Sequence, residues 1–114
     1  MNDQNTEYLV KTYEPLYEYC KYFECGDGWL KILIELSAGL IRIIDETGCS
    51  CRASQVKEKY GTLRYYMDTS LDEIDDLIRD AEYLSSKTCE KCGEPGEARG
   101  ERWVSTLCDK CVKK

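Results

Sequence analysis

Four cysteines near the end of the chain have the spacing of a metal site. They form two C-x2-C pairs, Cys89 with Cys92 and Cys108 with Cys111, and fifteen residues separate the pairs. Four thiolates satisfy tetrahedral Zn²⁺ and leave no open coordination position for a water molecule. This spacing therefore predicts a structural zinc ion, one per chain, held in a zinc ribbon. An iron–sulfur or redox site is the less favoured alternative.

The residues between the two pairs indicate how such a ribbon would form. Gly93 directly follows the second cysteine, where a tight turn needs backbone freedom. Residues 99–107 fit a β-hairpin, in which Trp103 would pack over the metal. Because the metal would supply folding free energy, a chelator should unfold this end of the chain.

The other four cysteines are not expected to form a second metal site; they are Cys20, Cys25, Cys49 and Cys51. A long predicted helix separates Cys25 from Cys49 and would hold them about 28 Å apart, since a helix rises ~1.5 Å per residue. Small buried apolar side chains are the favoured interpretation. An exposed reactive pair at Cys49 and Cys51 is the alternative.

A second segment with chemical potential is basic and aromatic. Residues 55–66, QVKEKYGTLRYY, place three cations and three tyrosines around Gly61 in a chain whose formal net charge is -6. The pattern predicts two strands joined near the glycine. The register of this hairpin decides whether its cations are neutralised within the protein.

Two registers are open. With a two-residue loop at Tyr60 and Gly61, Lys57 lies opposite Arg64, and these like charges are unfavourable unless an anion lies between them. With a three-residue loop, Glu58 lies opposite Arg64 and the charges satisfy each other. The first register favours a binding site, and the second favours a hairpin with a purely structural role.

A nucleotide-like anion is the natural ligand if this hairpin binds one. Arginine and lysine bind phosphate, and tyrosine and arginine stack on bases. The candidate ligand-binding residues are Lys57, Lys59, Tyr60, Arg64, Tyr66 and Trp29.

Trp29 ends a glycine-rich turn, ECGDGW, at residues 24–29. A turn of this kind before a helix can cradle phosphate. Asp27 would repel that phosphate, so we favour Asp27 as the N-cap of the next helix and Trp29 as an anchor in the core.

Composition narrows the classes of function. The chain has 114 residues and no histidine, which removes the commonest general base and argues against an enzyme.

Residues 1–86 carry 9 Lys/Arg and 17 Asp/Glu, whereas residues 87–114 carry 7 and 5. Since phosphate contacts dominate nucleic-acid affinity, only the C-terminal part suits such a partner.

The location of the protein is predicted from what the sequence lacks. The polar N-terminal segment does not have the pattern of a signal peptide. No stretch reaches the roughly 18 apolar residues of a membrane span, so no membrane association is expected. We therefore expect a cytoplasmic protein, in which a disulfide framework is unfavourable.

These groups require a scaffold, and the pattern predicts an α+β fold with a small helical core, a β-hairpin and a C-terminal four-cysteine zinc ribbon. We expect a domain at residues 1–87 and the ribbon at 88–114. The predicted elements of the first domain are helices at about 6–24 (with a break at Pro15), 29–47 and 70–87, and a hairpin at about 52–68.

Two of these helices carry further predictions. The helix at 29–47 has only a narrow polar stripe, which indicates a central core position or a homodimer interface. The helix at 70–87 begins with a capping box of Ser70 and Glu73, and its leucines, Leu84 included, should face inward while Glu82 faces water. Its acidic face is best explained as solvated surface; mimicry of nucleic acid is the alternative.

Three motifs, taken in order, resemble a known group of proteins. The segments ECGDGW, QVKEKYGTLRYY and CEKCGEPG with WVSTLCDKC lie within about residues 20–111. Together they resemble small proteins encoded by bacteriophages and prophages, which often have Phe where Tyr60 and Tyr65 stand here. The resemblance implies a phage accessory protein that acts in the host cytoplasm; it does not imply a mechanism.

The sequence therefore favours a non-catalytic binding protein. Its partner would be a host protein or a nucleotide-like small molecule, and binding would blunt a host process such as antiviral defence. A zinc-ribbon regulator that binds nucleic acid or a polymerase is the alternative, and the net charge of -6 disfavours it.

Overall fold

The α+β prediction is confirmed by a computed structural model, which describes residues 1–69 and 71–113. A single 3₁₀ turn, Asp27–Trp29, precedes the second helix. The elements in chain order are α1 (Asp3–Thr12), α2 (Leu30–Thr47), β1 (Ala53–Lys59), β2 (Thr62–Met67), α3 (Asp72–Ser85), β3 (Glu97–Arg99), β4 (Ser105–Leu107) and α4 (Asp109–Val112). None of the helices in these ranges combines the length and apolar character needed to cross a membrane.

Helix α2 lies at the centre of the core, as its apolar surface predicts. Its buried residues are Ile32, Leu33, Leu36, Ser37, Leu40 and Ile43. The helix ends at Thr47. Its C-cap, Gly48, donates its N–H to the carbonyl of Ile44 and has a left-handed backbone (φ 72°) that suits glycine. Packing against α1 and α3 within the same chain accounts for much of the apolar character of α2.

The helix predicted at 6–24 is shorter than expected. Helix α1 ends at Thr12, and residues 13–19 form turns instead of a second helical piece. Pro15 lies in these turns, where its ring is incompatible with a helix interior. Tyr17 is nevertheless buried, and its hydroxyl lies 2.5 Å from the Ser37 hydroxyl and accepts a hydrogen bond from Tyr65 at 2.9 Å. Burial of these residues therefore comes from tertiary packing of a loop.

The hairpin of β1 and β2 has the two-residue loop. Lys57 pairs with Arg64 across the strands, and the turn residues Tyr60 and Gly61 both have positive φ, 53° and 83°. These angles match the turn type that suits the twist of a tight hairpin. Glu58 does not neutralise Arg64; its carboxylate accepts the backbone N–H of Gly61 at 2.7 Å.

Both edges of this hairpin are covered. Glu24 donates its N–H to Val56 and accepts the N–H of Glu58, each at 3.0 Å, so a short segment extends the sheet beside β1. On the other side, the N–H groups of Leu63 and Tyr65 point at α3. They donate to the Ser85 hydroxyl at 2.8 Å and to the Glu82 carboxylate at 3.1 Å. Covered edges do not pair with further strands.

Two predictions for α3 are wrong. Glu82, expected to face water, is half-buried by its bond to β2, and Leu84, expected to face inward, is 47% exposed. The N–H of Tyr65 at the edge of β2 has no partner in a neighbouring strand. The Glu82 carboxylate accepts this N–H and therefore faces the hairpin instead of water. The proposed cap at Ser70 lies outside the described residues.

Candidate metal centre and basic hairpin face

The first cysteine pair sits on a tight backbone turn. Cys89 accepts the N–H of Gly93 at 2.9 Å and donates its own N–H to Glu94 at 2.7 Å. Gly93 has φ 86°, so the prediction that this position needs backbone freedom is confirmed. The turn brings Cys92 back beside Cys89.

The second pair sits at the start of a short helix. Cys108 is the N-cap of α4, and its sulfur accepts the backbone N–H of Cys111 at 3.4 Å. The β3–β4 hairpin, paired from Glu97 with Leu107 to Arg99 with Ser105, carries this helix back to the first turn. Local turns therefore place each pair, and the hairpin brings the two pairs together.

The four sulfurs form one cluster that fits a tetrahedral metal ion. All four lie within 4.8 Å of one another, and the sulfurs of Cys92 and Cys108 are 3.6 Å apart. A Zn–S bond of about 2.3 Å in a tetrahedron requires sulfurs about 3.8 Å apart. Cys89, Cys108 and Cys111 are buried and Cys92 is exposed. The cluster is therefore able to hold a metal ion such as zinc.

The pKa values of the cluster's thiols are shifted in opposite directions. Burial opposes ionisation of Cys89, but the backbone N–H groups of Cys108, Cys92 and Lys91 lower its pKa to about 6. A hydrogen bond with Cys108 raises the pKa of Cys111 to about 12, because one proton is shared between the two sulfurs. A metal ion displaces such protons, so its affinity should fall as the pH falls.

The first cysteine turn packs on the glycine turn, residues 24–29. The N–H groups of Gly26 and Gly28 donate to the Glu90 carboxylate at 2.9 Å and to the Glu90 carbonyl at 2.7 Å. A Cβ at either glycine would overlap the backbone of Cys89 or Glu90. The glycines thus permit close contact between two backbones, and these two N–H groups are not available to phosphate.

Asp27 has a different role from the predicted cap. It begins the 3₁₀ turn, and Trp29, whose side chain makes no capping bond, occupies the N-cap position of α2. The Asp27 carboxylate instead accepts the N–H of Asn2 at 2.8 Å and the side-chain amide of Asn5 at 3.1 Å. The bond from the Asn2 backbone lowers the pKa of Asp27 below its ordinary value. Asp27 therefore links α1 to the glycine turn.

Trp29 is the anchor of this region and not a ligand contact. Its side chain is completely buried, and its indole N–H donates to the carbonyl of Thr88 at 2.9 Å. The anchoring interpretation is therefore confirmed. The candidate role of Trp29 in ligand binding is corrected, because a completely buried ring offers no surface to a ligand.

Four of the other candidate ligand residues share one face of the hairpin. This basic hairpin face consists of Lys57, Lys59, Arg64 and Tyr66, which alternate with the buried Val56, Leu63 and Tyr65. Among the described residues, no carboxylate oxygen lies within 4.0 Å of the Lys57 or Arg64 nitrogens. Within residues 1–69 and 71–113, the Nε of Arg64 is buried and has no hydrogen-bond partner.

Tyr60 lies at the tip of the same hairpin, beside the hairpin of β3 and β4. The Thr106 hydroxyl donates to the carbonyl of Gly61 at 2.5 Å, which joins the hairpin turn to β4. Trp103, predicted to pack over the metal, is instead 82% exposed near this contact. Sequence reasoning missed this meeting of two loops, because no local pattern records it.

The remaining cysteines lie apart from the cluster. Cys20 and Cys25 are buried, and burial raises the pKa of Cys25 to about 12, so the apolar interpretation fits both. Cys49 and Cys51 are joined by a disulfide, and Cys51 is completely buried. This bond differs from the expectation that the chain would lack disulfides.

Comparison of the chain with protein-family models, with curated proteins and with solved structures finds no match. Function is therefore argued from the site alone.

Proposed function

We propose that this protein is a non-catalytic binding protein whose basic hairpin face takes an anionic ligand of the nucleotide type. The observation that carries the proposal is the pairing of Lys57 directly opposite Arg64. Like charges at paired positions destabilise a hairpin, and a phosphate group between them would reverse the sign of that interaction. The face is thus better suited to a bound anion than to water.

The chemistry of the face matches phosphate next to a flat ring. The guanidinium of Arg64 suits bidentate phosphate binding through its terminal nitrogens. Tyr66 is 44% exposed on the same face, two residues along the strand, where it supports a stacked base. The absence of histidine from the sequence supports a binding role over catalysis.

The metal has a structural role in this proposal. The four-cysteine cluster holds one Zn²⁺ per chain with a closed coordination sphere, so the ion contributes folding free energy and no chemistry. By holding β4 against the hairpin turn, the metal-bound segment keeps the basic face in place.

The resemblance to phage and prophage proteins supports a setting for this activity. We place the protein in the host cytoplasm, where it would sequester a nucleotide-like signal or block a host factor, with counter-defence as the process served. The half-buried Ile34, Ile41 and Ile44 of α2 flank its exposed stripe and would form the seam of a homodimer.

Native mass spectrometry of protein purified without chelator is the first test. We expect one zinc per chain and a retained mass of nucleotide size that is absent from the Lys57→Ala/Arg64→Ala variant. Arg42→Ala is the matched control, because Arg42 is an exposed arginine on α2 and not on the hairpin. Equal retention by the double variant and the control would place the ligand elsewhere.

A second candidate, a nucleic-acid-binding regulator, is favoured by the exposed Trp103 and Arg102 on the metal-binding segment. It predicts binding to DNA that weakens steeply between about 50 and 200 mM salt. Failure to retard any DNA at the lower salt concentration would exclude it.

A further inference from the structure

Two loop tips meet and form a groove of about 320 Å³. One tip is the hairpin turn and the other is the loop between β3 and β4. The residues that line it, here called the tip groove, are Glu58, Lys59, Tyr60, Arg102, Trp103 and Val104.

The two sides of the tip groove are held in a defined position. Gly61 and Thr106 are 45 residues apart in the chain and are joined by the 2.5 Å bond from the Thr106 hydroxyl. A Cβ at Gly61 would press on the Val104 and Thr106 side chains at 3.2 Å. The close approach therefore needs a glycine, and it fixes Tyr60 relative to the loop that carries Trp103.

The aromatic rings of the tip groove are exposed. Tyr60 is 70% exposed and Trp103 is 82% exposed, and neither belongs to a core cluster. A Trp and a Tyr on neighbouring rigid turns present flat apolar surface at little conformational cost to a ligand. The Lys59 ammonium lies 5.6 Å from the centroid of the Tyr60 ring, so a cation already borders this ring, and core packing holds neither ring.

The backbone of Tyr60 supports the same conclusion. Its φ of 53° is uncommon for a bulky residue, and Asn or Gly would adopt it with less strain. Strained residues of this kind concentrate where a side chain must be presented for binding. Tyr60 is less suited to this backbone conformation than Asn or Gly, and its ring is exposed to solvent.

The charges around the tip groove select its occupant. Lys59 and Arg102 line it, whereas the one lining carboxylate, Glu58, is engaged with the N–H of Gly61 at 2.7 Å. The rest of the chain is strongly acidic, with a net charge of -6 overall. Aromatic rings flanked by cations are the usual platform for the bases of single strands and nucleotides.

We propose that the tip groove stacks a nucleobase whose attached phosphate lies on the basic hairpin face. Lys59 belongs to both surfaces, and residues two apart on a strand lie about 7 Å apart, within the span of one nucleotide. The placement of the base is argued from the residues of the tip groove alone. The phosphate half rests on the proposed function. A free nucleotide and a nucleotide within a single strand share this chemistry.

Fluorescence of Trp103 gives the direct test. The probes are AMP, inorganic phosphate and an oligodeoxythymidine of about eight nucleotides, a length typical of single-strand sites. We expect AMP or the strand to quench the exposed indole, and phosphate alone to leave it unchanged. Quenching by AMP identifies a free nucleotide as sufficient, and quenching by the strand alone identifies single-stranded nucleic acid.

Variants then assign the groove. Trp103→Ala and Tyr60→Asn each remove one ring, and Asn retains the left-handed backbone of the turn. We expect each to weaken binding about tenfold, measured by calorimetry with AMP and by anisotropy of the labelled strand. Tyr22→Ala is the control, because Tyr22 is 80% exposed and lies outside the groove.

The outcomes separate this inference from the proposed function. If Lys57→Ala/Arg64→Ala abolishes AMP binding while Trp103→Ala does not change it, the assignment of the base to the tip groove is wrong. The assignment of the phosphate to the basic hairpin face is then retained. If quenching persists in the double variant, the groove stands and the phosphate position is wrong. The inference is overturned if no probe quenches the fluorescence at millimolar concentration. It is also overturned if the protein binds a protein partner and Trp103→Ala, but no other variant tested, abolishes that binding.

Discussion

Trp29 and Thr88 are 59 residues apart in the chain, yet the indole N–H of Trp29 donates a 2.9 Å hydrogen bond to the carbonyl of Thr88. Thr88 directly precedes Cys89, the first cysteine of the four-cysteine cluster. The bond therefore joins the centre of the core to the segment that carries this cluster. Together with the two bonds from the glycine turn to Glu90, it leads us to expect that the state of the cluster affects the core.

Metal removal should reach the core through this contact. In a Trp103→Phe background Trp29 is the sole tryptophan, and we expect chelation to shift its emission to longer wavelength as the indole becomes hydrated. Return of the original spectrum on addition of zinc is the control. Release of zinc with unchanged Trp29 emission would show that the core and the cluster are independent.

Loss of one thiolate should remove the metal. Cys108→Ser replaces a soft ligand with a neutral hydroxyl, so we expect metal content to fall from one per chain to near zero. Cys20→Ser is the matched control. Cys20 is also buried and donates to the carbonyl of Tyr22 at 3.4 Å, a bond that serine retains. Equal metal content in both variants would contradict the four-cysteine assignment.

Two glycines should respond differently to alanine. A Cβ at Gly28 would overlap backbone atoms of Cys89 and Glu90, so Gly28→Ala should lower the free energy of unfolding by about 3 kcal/mol or more. Gly48→Ala meets no atom within 4 Å and should cost about 1 kcal/mol, from its positive φ alone. Chemical denaturation compares the two variants. Equal losses of free energy of unfolding would contradict the close contact between the backbone of Gly28 and that of Cys89 and Glu90.

The bond from Asn2 to Asp27 should make stability depend on pH. The folded-state pKa of Asp27 is lowered from its ordinary value of 3.8, so its stabilisation is present above that value and is lost as the pH falls through the folded pKa. Asp27→Asn cannot ionise. We expect wild type to exceed this variant in stability at neutral pH and to lose the advantage in acid, as followed by urea unfolding. A pH-independent gap would contradict the charge-assisted bond.

Relief of the Tyr60 backbone should stabilise the fold. Tyr60→Asn places a residue suited to positive φ in the turn, and we expect the free energy of unfolding to rise by about 0.5–1 kcal/mol. Thermal denaturation measures this change. The control is Tyr19→Asn at another exposed tyrosine, which we expect to leave the free energy of unfolding unchanged or to lower it. A decrease in stability would show that the Tyr60 ring contributes packing that outweighs the strain.

The hairpin register illustrates where sequence reasoning was incomplete. The sequence allowed both the pairing of Arg64 with Glu58 and its pairing with Lys57. Simple charge balance favours the first, but Glu58 accepts the N–H of Gly61, and Lys57 and Arg64 pair instead. The Glu58 carboxylate is bonded to the backbone N–H of Gly61 and so does not balance the charge of Arg64, and the two patterns differ by only one residue of loop length.

The sequence by itself determined the features that depend on local spacing. Short turns place the two cysteines of each pair, and the periodicity of α2 places it in the core, because both signals involve residues close along the chain. Only the tertiary structure decided the bond of the Trp29 indole to Thr88, the inward bond of Glu82, and the groove shared by Tyr60 and Trp103. Each of these unites segments far apart in sequence, where packing and unpaired backbone groups, and not local propensity, select the partner.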